Sequence, residues 1–271
     1  SELVASVPLA PAASEHSVLV ALAPLAPAAS ARSALVALVP SVPAVGGLEG
    51  VAVVESTGPG SSLKAGDWVI PAPGAGSWTT HAVMNEAELT PVPNHIPAEY
   101  AAVLGIGPAT AYRLLNDFAA LKEGDTVVLN GANTVTGQAL VQLAAARGIK
   151  TVAVMSQQPG FADISGHLKS IGATVVAGEH TVRCYQMQDL MAALPAPKLA
   201  LDGIGGASGR ALSRLLPKGG TLVCYGDVDA SGADANCEEY VIPAEKNVTV
   251  KSFYLSEWMA GAKAADKTQM V

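Results

Sequence analysis

The stretch Asn130–Gly137 (NGANTVTG) sets small and hydroxylated residues between a β-branched run and an apolar helical pattern. Such a turn gathers backbone N–H groups at the positive end of a helix, which is the chemistry of phosphate binding. Asn133, Thr136 and Gly137 are its candidate pyrophosphate contacts. Only Gly131 and Gly137 are small enough for close backbone approach, and Val135 and Thr136 put β-branched side chains where phosphates would come. A plain strand-to-helix connection explains the same residues. Met155–Gln158 (MSQQ) stands where a ribose is usually selected, by an acidic residue for the hydroxyls or by Arg for a 2′-phosphate. The chain has neither there. Ser156 and Gln157 are the candidate ribose ligands, against the alternative of a solvated loop. Lys150 enters at the wrong end of that strand.

The elements that must position these residues alternate strictly. The pattern predicts strands at 126–130, 151–155, 174–177, 199–202 and 221–225. It predicts helices at 138–147, 161–171, 187–194 and 208–216, and a further strand at 248–255 leads to a helix near Ser256. Short strands alternating with helices require right-handed crossovers and a parallel sheet covered on both faces. The fold class is therefore α/β, a Rossmann-type doubly wound parallel sheet, with its ligand expected outside the carboxyl ends of the strands.

Upstream the pattern changes. Val51–Val54, Trp68–Pro71 and Trp78–Val83 read as short strands of a smaller β-domain, and residues 97–121 as a helix or helix pair. The first 45 residues repeat: LVASVPLAPAAS from Leu3 returns as LVALAPLAPAAS from Leu19 and begins again at Leu35. Its prolines are hostile to helix and to central strand alike. That segment is expected to be extended, partly mobile or held by a neighbour. The domains expected are 1–96, repeat and partial β-domain, and 97–271, the nucleotide-binding domain.

Half of the 271 residues are hydrophobic, enough for a sizeable core, and the net charge of -7 gives nucleic acid or an anionic membrane no electrostatic foothold. Pro24, Pro27 and Pro40 interrupt the most apolar region, so no transmembrane segment is expected. Cys184, Cys224 and Cys237 lack CxxC spacing and read as reduced thiols. No histidine pair has metal-ligand spacing.

Six segments occur in one family's order: Pro43–Gly50 (PAVGGLEG), Gly66–Pro71 (GDWVIP), Gly107–Arg113 (GPATAYR), Leu168–Ala173 (LKSIGA), Leu199–Asp202 (LALD) and Phe253–Trp258 (FYLSEW). Together, over residues 15–258, the chain resembles the mitochondrial trans-2-enoyl-CoA (2-enoyl thioester) reductases, zinc-free members of the medium-chain dehydrogenase/reductase superfamily. The resemblance implies hydride transfer from NADPH to the β-carbon of an enoyl thioester, between a GroES-like β-domain and the Rossmann domain, in the mitochondrial matrix. It implies further that Thr110 lies near the nicotinamide, and that Tyr225, Gly226, Phe253 and Tyr254 line the cofactor cleft. The bland alternatives are a helix-start threonine and core aromatics. Asp202 stands where the family carries an amide, and is expected to be solvated or to cap a turn.

The departures point the other way. The family's proton-donating tyrosine falls where this chain has Ser33–Leu38 (SALVAL), and no tyrosine precedes Tyr100. A Gly-Val-Gly element becomes Val135–Gly137, and the arginine-bearing turn becomes Ser156–Gln158. The β-domain is expected to be incomplete, since the chain stops where the family has the further strands that complete it. The function expected is a degenerate, catalytically inactive reductase homologue, with NADPH as its cofactor if any, kept as an accessory subunit among the proteins of a mitochondrial assembly such as a respiratory complex. The alternative is an active NADPH-dependent reductase acting on enoyl-CoA.

Overall fold

Strand β1 (Ser17–Leu22) is followed by β2 (Ala52–Thr57), β3 (Trp68–Pro71), β4 (His81–Asn85) and β5 (Leu89–Val92), and α1 (Ala98–Val103) closes this series. Neighbouring residues in β2 and β3 point to opposite faces, as the two-residue period of a strand requires. Ala52, Val54 and Val69 therefore join Leu63, Met84 and Leu89 in one apolar cluster, while Val51 and Ile70 join Val92 and Ala101 in another. The computed structural model describes residues 17–22, 46–184, 186–226, 246–263, 266–267 and 270. They divide into two compact units, the first running to Gly105 and including 263 and 266–267, the second within Ile106–Ala262 together with Met270.

The first unit is an antiparallel sheet in the order β4-β1-β2-β3-β5. Three strands differ from the sequence expectation. Ser17–Leu22, inside the repeat, is an internal strand paired with both β2 and β4, because this six-residue window carries no proline. The remaining residues of the repeat lie outside the described residues. Leu89–Val92 is a strand that Pro91 hides in the sequence, and it takes the sheet edge, where a missing N–H is tolerated. The strand expected at 78–83 starts and ends later, at His81 and Asn85.

The second unit opens with α2 (Gly107–Asp117), β6 (Thr126–Leu129), α3 (Val135–Ala146), β7 (Lys150–Met155), α4 (Phe161–Ser170) and β8 (Val175–Gly178). There follow α5 (Glu179–Val182), α6 (Gln186–Met191), β9 (Leu199–Asp202), α7 (Gly206–Leu215), β10 (Thr221–Cys224), β11 (Thr249–Ser252) and α8 (Leu255–Gly261). The sheet order is β11-β10-β9-β6-β7-β8 and the pairings are parallel. Strands β6 and β9 are buried throughout, which explains their continuous apolar runs. The order reverses between β6 and β9, so their carboxyl ends flank the topological switch point, where such sheets bind ligands. No helix among the described residues is long and apolar enough to cross a membrane.

Candidate functional site

Leu129 ends β6 and Asn130, fully buried, begins the turn to α3. Gly131 has φ +58, a left-handed conformation suited to glycine. Thr134 is the N-cap of α3: its hydroxyl accepts the Gly137 N–H at 3.1 Å and donates to the Gly131 carbonyl at 2.8 Å. A Cβ on Gly137 would stand 2.4 Å from that carbonyl oxygen and 2.6 Å from Ala132 Cα. Glycine is therefore required where helix meets turn. The helix starts at Val135, earlier than the pattern predicts, because the threonine cap recruits 135–137 into its first turn.

Val135 is 53% exposed, and its Cγ1 would lie 2.7 Å from a Cβ on Gly107, the first residue of α2. Its bulk thus occupies the space that Gly107 leaves bare. Thr110, one turn along α2, is buried, and its N–H donates to the Ile106 carbonyl at 2.8 Å. Asn133 and Thr136 are half-buried on the same turn as Gly137. Beyond β7, Ser156 and Gln157 are exposed, and the Gln157 side chain lies over Gly178 at the end of β8, 2.5 Å from where a Cβ would be.

The switch point itself is held by a polar cluster. The Asn130 amide donates to Asp202 Oδ1 at 2.5 Å and to Ser208 Oγ at 3.0 Å, and its oxygen accepts the Gly203 N–H at 2.7 Å. Asp202 Oδ1 accepts the N–H groups of Ile204 at 3.1 Å and Gly205 at 2.9 Å, and Ser208 donates to Glu179 at 2.8 Å. The solvated alternative for Asp202 is thereby corrected: the carboxylate is buried and organises the turn into α7. Sequence reasoning missed Asn130, Ser208 and Glu179 as partners, because only the pairing of β6 with β9 brings residue 130 beside 202 and 208.

Tyr225 lies against Gly203, where a Cβ would meet its hydroxyl at 2.6 Å, and a Cβ on Gly226 would stand equally close to the Gly203 carbonyl oxygen. The phenol is buried without a hydrogen-bond partner among the described residues; burial first, and then the Asp202 charge, push its pKa above the ordinary range. Phe253 is buried edge-on to Phe118, with ring centroids 5.7 Å apart, while Tyr254 is 52% exposed and begins α8. Parallel pairing brings the residues after β6, β7, β10 and β11 to one edge of the sheet. Thr110 arrives there on α2, packed against α3.

In the first unit, the buried Glu49 Oε2 has no hydrogen-bond partner among the described residues, and desolvation raises its pKa. Trp78 is 79% exposed, with its ring over Gly46.

No family profile matches the chain. Individual proteins do. The mitochondrial enoyl-acyl-carrier-protein reductase of Bos taurus is 40% identical over 210 residues, covering 77% of this chain and 56% of that protein. The chain thus spans little more than half the length of that relative. Among solved structures, a mutant enoyl thioester reductase from Candida tropicalis superposes with a TM-score of 0.77 at 25% identity, over 94% of this chain and 78% of the other. The complex of Etr1p with NADP and crotonyl-CoA has the same fold, with a TM-score of 0.77 at 24% identity over 95% and 79% of the two chains. The turn at the switch point, the order of the sheet and these likenesses agree, and the chain belongs to the family of mitochondrial enoyl-acyl-carrier-protein reductases within the medium-chain dehydrogenase/reductase superfamily.

Proposed function

We propose that the chain is a mitochondrial 2-enoyl thioester reductase subunit that holds NADPH at the switch point between β6 and β9. The observation that carries this reading is the turn after β6. Its threonine cap, the Gly137 it requires and the Asn130–Asp202 clasp support a phosphate-binding role for this helix end, and Val135 leans on Gly107. Asn133, Thr136 and Gly137 would face the pyrophosphate and Ser156 and Gln157 the ribose. Thr110, Tyr225, Gly226, Phe253 and Tyr254 would border the nicotinamide end. Bound NADPH supplies a hydride to the β-carbon of the enoyl thioester. The chain's part is to fix that geometry and to shield it from water.

A second reading is favoured by one specific observation: no tyrosine precedes Tyr100, so the family's proton donor has no counterpart in its usual place. On that reading the chain is a non-catalytic accessory subunit of a larger mitochondrial assembly. A positioned general acid contributes about 10²- to 10⁴-fold, and without one the proton at the α-carbon must come from water. Fluorescence titration with NADPH, followed by stopped-flow mixing with crotonyl-CoA, separates the two. Saturable binding with slow, substrate-dependent NADPH oxidation supports the reductase. Saturable binding without oxidation at any pH from about 6 to 8, a window in which a general acid of ordinary pKa changes protonation, supports the accessory reading. Absence of binding sinks the cofactor site itself.

A further inference from the structure

The second unit carries an open cavity of about 740 Å³ that the cofactor site does not use. Ala196 and Pro197, which lead into the amino end of β9, and Arg214 and Leu215, at the end of α7, line it. It therefore lies at the opposite end of β9 from Asp202. Its floor is apolar: Val182 and Met187 belong to the core cluster of the sheet, and Met191, Leu194 and Leu215 pack against that cluster. Methionines give such a floor an adaptable shape.

The rim is cationic. Arg183 and Arg214 line the cavity, and among the described residues no carboxylate does. Arg113 pairs with Asp117, Arg147 bonds Asn116 and covers Tyr112, and Arg210 is also partnered. Among the described residues, the arginines whose guanidinium groups have no partner are thus the two on this rim; the Arg214 carbonyl accepts from Lys246 Nζ at 2.7 Å. In a chain with a net charge of -7, two uncompensated guanidinium groups at the mouth of one apolar cavity are not what charge balance alone would distribute.

We propose that this cavity binds a single-chain fatty carboxylate, its head on Arg183 and Arg214 and its tail along the methionine floor. Planar guanidinium groups match a carboxylate in a bidentate fashion. The volume is within the range of small-molecule sites, about 300–1,000 Å³. An inorganic anion would satisfy the arginines and leave the floor wet, and an uncharged lipid would do the reverse. The proposal stands independently of NADPH binding.

Cys184 lines the same cavity and is partly exposed, whereas Cys224 is buried. Its rate of alkylation by iodoacetamide, followed on the Cys184 peptide by mass spectrometry, therefore reports occupancy. Dodecanoate below its micellar concentration should slow alkylation saturably. In the Arg183→Ala/Arg214→Ala variant its apparent affinity should fall by roughly tenfold or more, the equivalent of about 1.4 kcal/mol. Both arginines are exposed, so the unliganded variant should unfold at the same temperature; if it does not, Arg183→Gln alone replaces it, with the same expectation in direction. Failure of dodecanoate to protect overturns the proposal, as does equal protection of the variant. Equal protection by sodium phosphate shows an inorganic-anion site instead, and equal protection by dodecanol a merely greasy surface; either overturns it.

Discussion

Asn130 and Asp202 are 72 residues apart in the chain and 2.5 Å apart across the switch point, each buried and each at the carboxyl end of its strand. One amide ties together Asp202, Ser208 and the Gly203 N–H. Its removal takes one of several donors from a buried carboxylate and leaves the buried Gly203 N–H without its acceptor. Asn130→Ala is expected to cost roughly 3 kcal/mol in urea unfolding. A loss under about 1 kcal/mol, the net worth of an ordinary single hydrogen bond, would show that the cluster does not hold the sheet together.

Gly137 faces backbone rather than a movable side chain, with Gly131 O and Ala132 Cα inside contact distance of any added Cβ. Gly137→Ala should destabilise by about 1–3 kcal/mol through overpacking. It should weaken NADPH binding as well, because the helix must shift from the turn. Unaltered affinity in a fluorescence titration would separate this turn from the cofactor.

Val135 is the departure that the family resemblance would set nearest the phosphates of a bound dinucleotide. Val135→Gly should tighten NADPH by up to roughly tenfold, about 1.4 kcal/mol. Glycine in a helix should meanwhile lower stability by about 0.5–1 kcal/mol relative to alanine. Opposite movements of affinity and unfolding midpoint are the signature; a variant that binds no better shows that the valine was never in the way.

Tyr225 carries a buried hydroxyl without a hydrogen-bond partner among the described residues, beside the Asp202 charge. Tyr225→Phe removes that polar atom and leaves the ring on Gly203. The variant should be as stable as the parent or up to about 1 kcal/mol more stable, since an unmade buried hydrogen bond is a cost. A clear loss on thermal unfolding would reveal an acceptor for the phenol.

Burial raises the pKa of Glu49. A carboxyl that holds its proton more tightly when folded than when unfolded makes the folded state bind the extra proton, so stability falls as pH rises from the ordinary glutamate range through the raised value. Glu49→Gln should remove that component. Differential scanning fluorimetry of parent and variant from below the ordinary glutamate range to neutrality should give midpoint curves that diverge; parallel curves refute the assignment.

The strands β6 to β10 were legible because a parallel strand buried on both faces writes itself as an unbroken apolar run. The helices between them, except the short α5 that the pattern does not show, were legible to within a few residues, and the earlier start of α3 traces to a single capping threonine. Strand β1 was not legible: prolines on either side of Ser17–Leu22 speak against a central strand, and only its pairing with β2 and β4 shows otherwise. The turn at 130–137 and its glycine were readable from composition. The partners of Asn130 were not, since nothing local in a sequence relates residue 130 to 202 and 208; parallel pairing of β6 with β9 creates that neighbourhood.

Pro91 has a consequence for how the first unit meets other chains. An edge strand with free N–H and C=O groups is a template on which another strand can crystallise, the first step towards fibres. The imide nitrogen at position 91 deletes one rung from that template in the four-residue β5. Growth of the sheet by strand addition is thereby discouraged on this side; among the described residues the opposite border is β4, the place to look if concentrated solutions of the protein gel on storage.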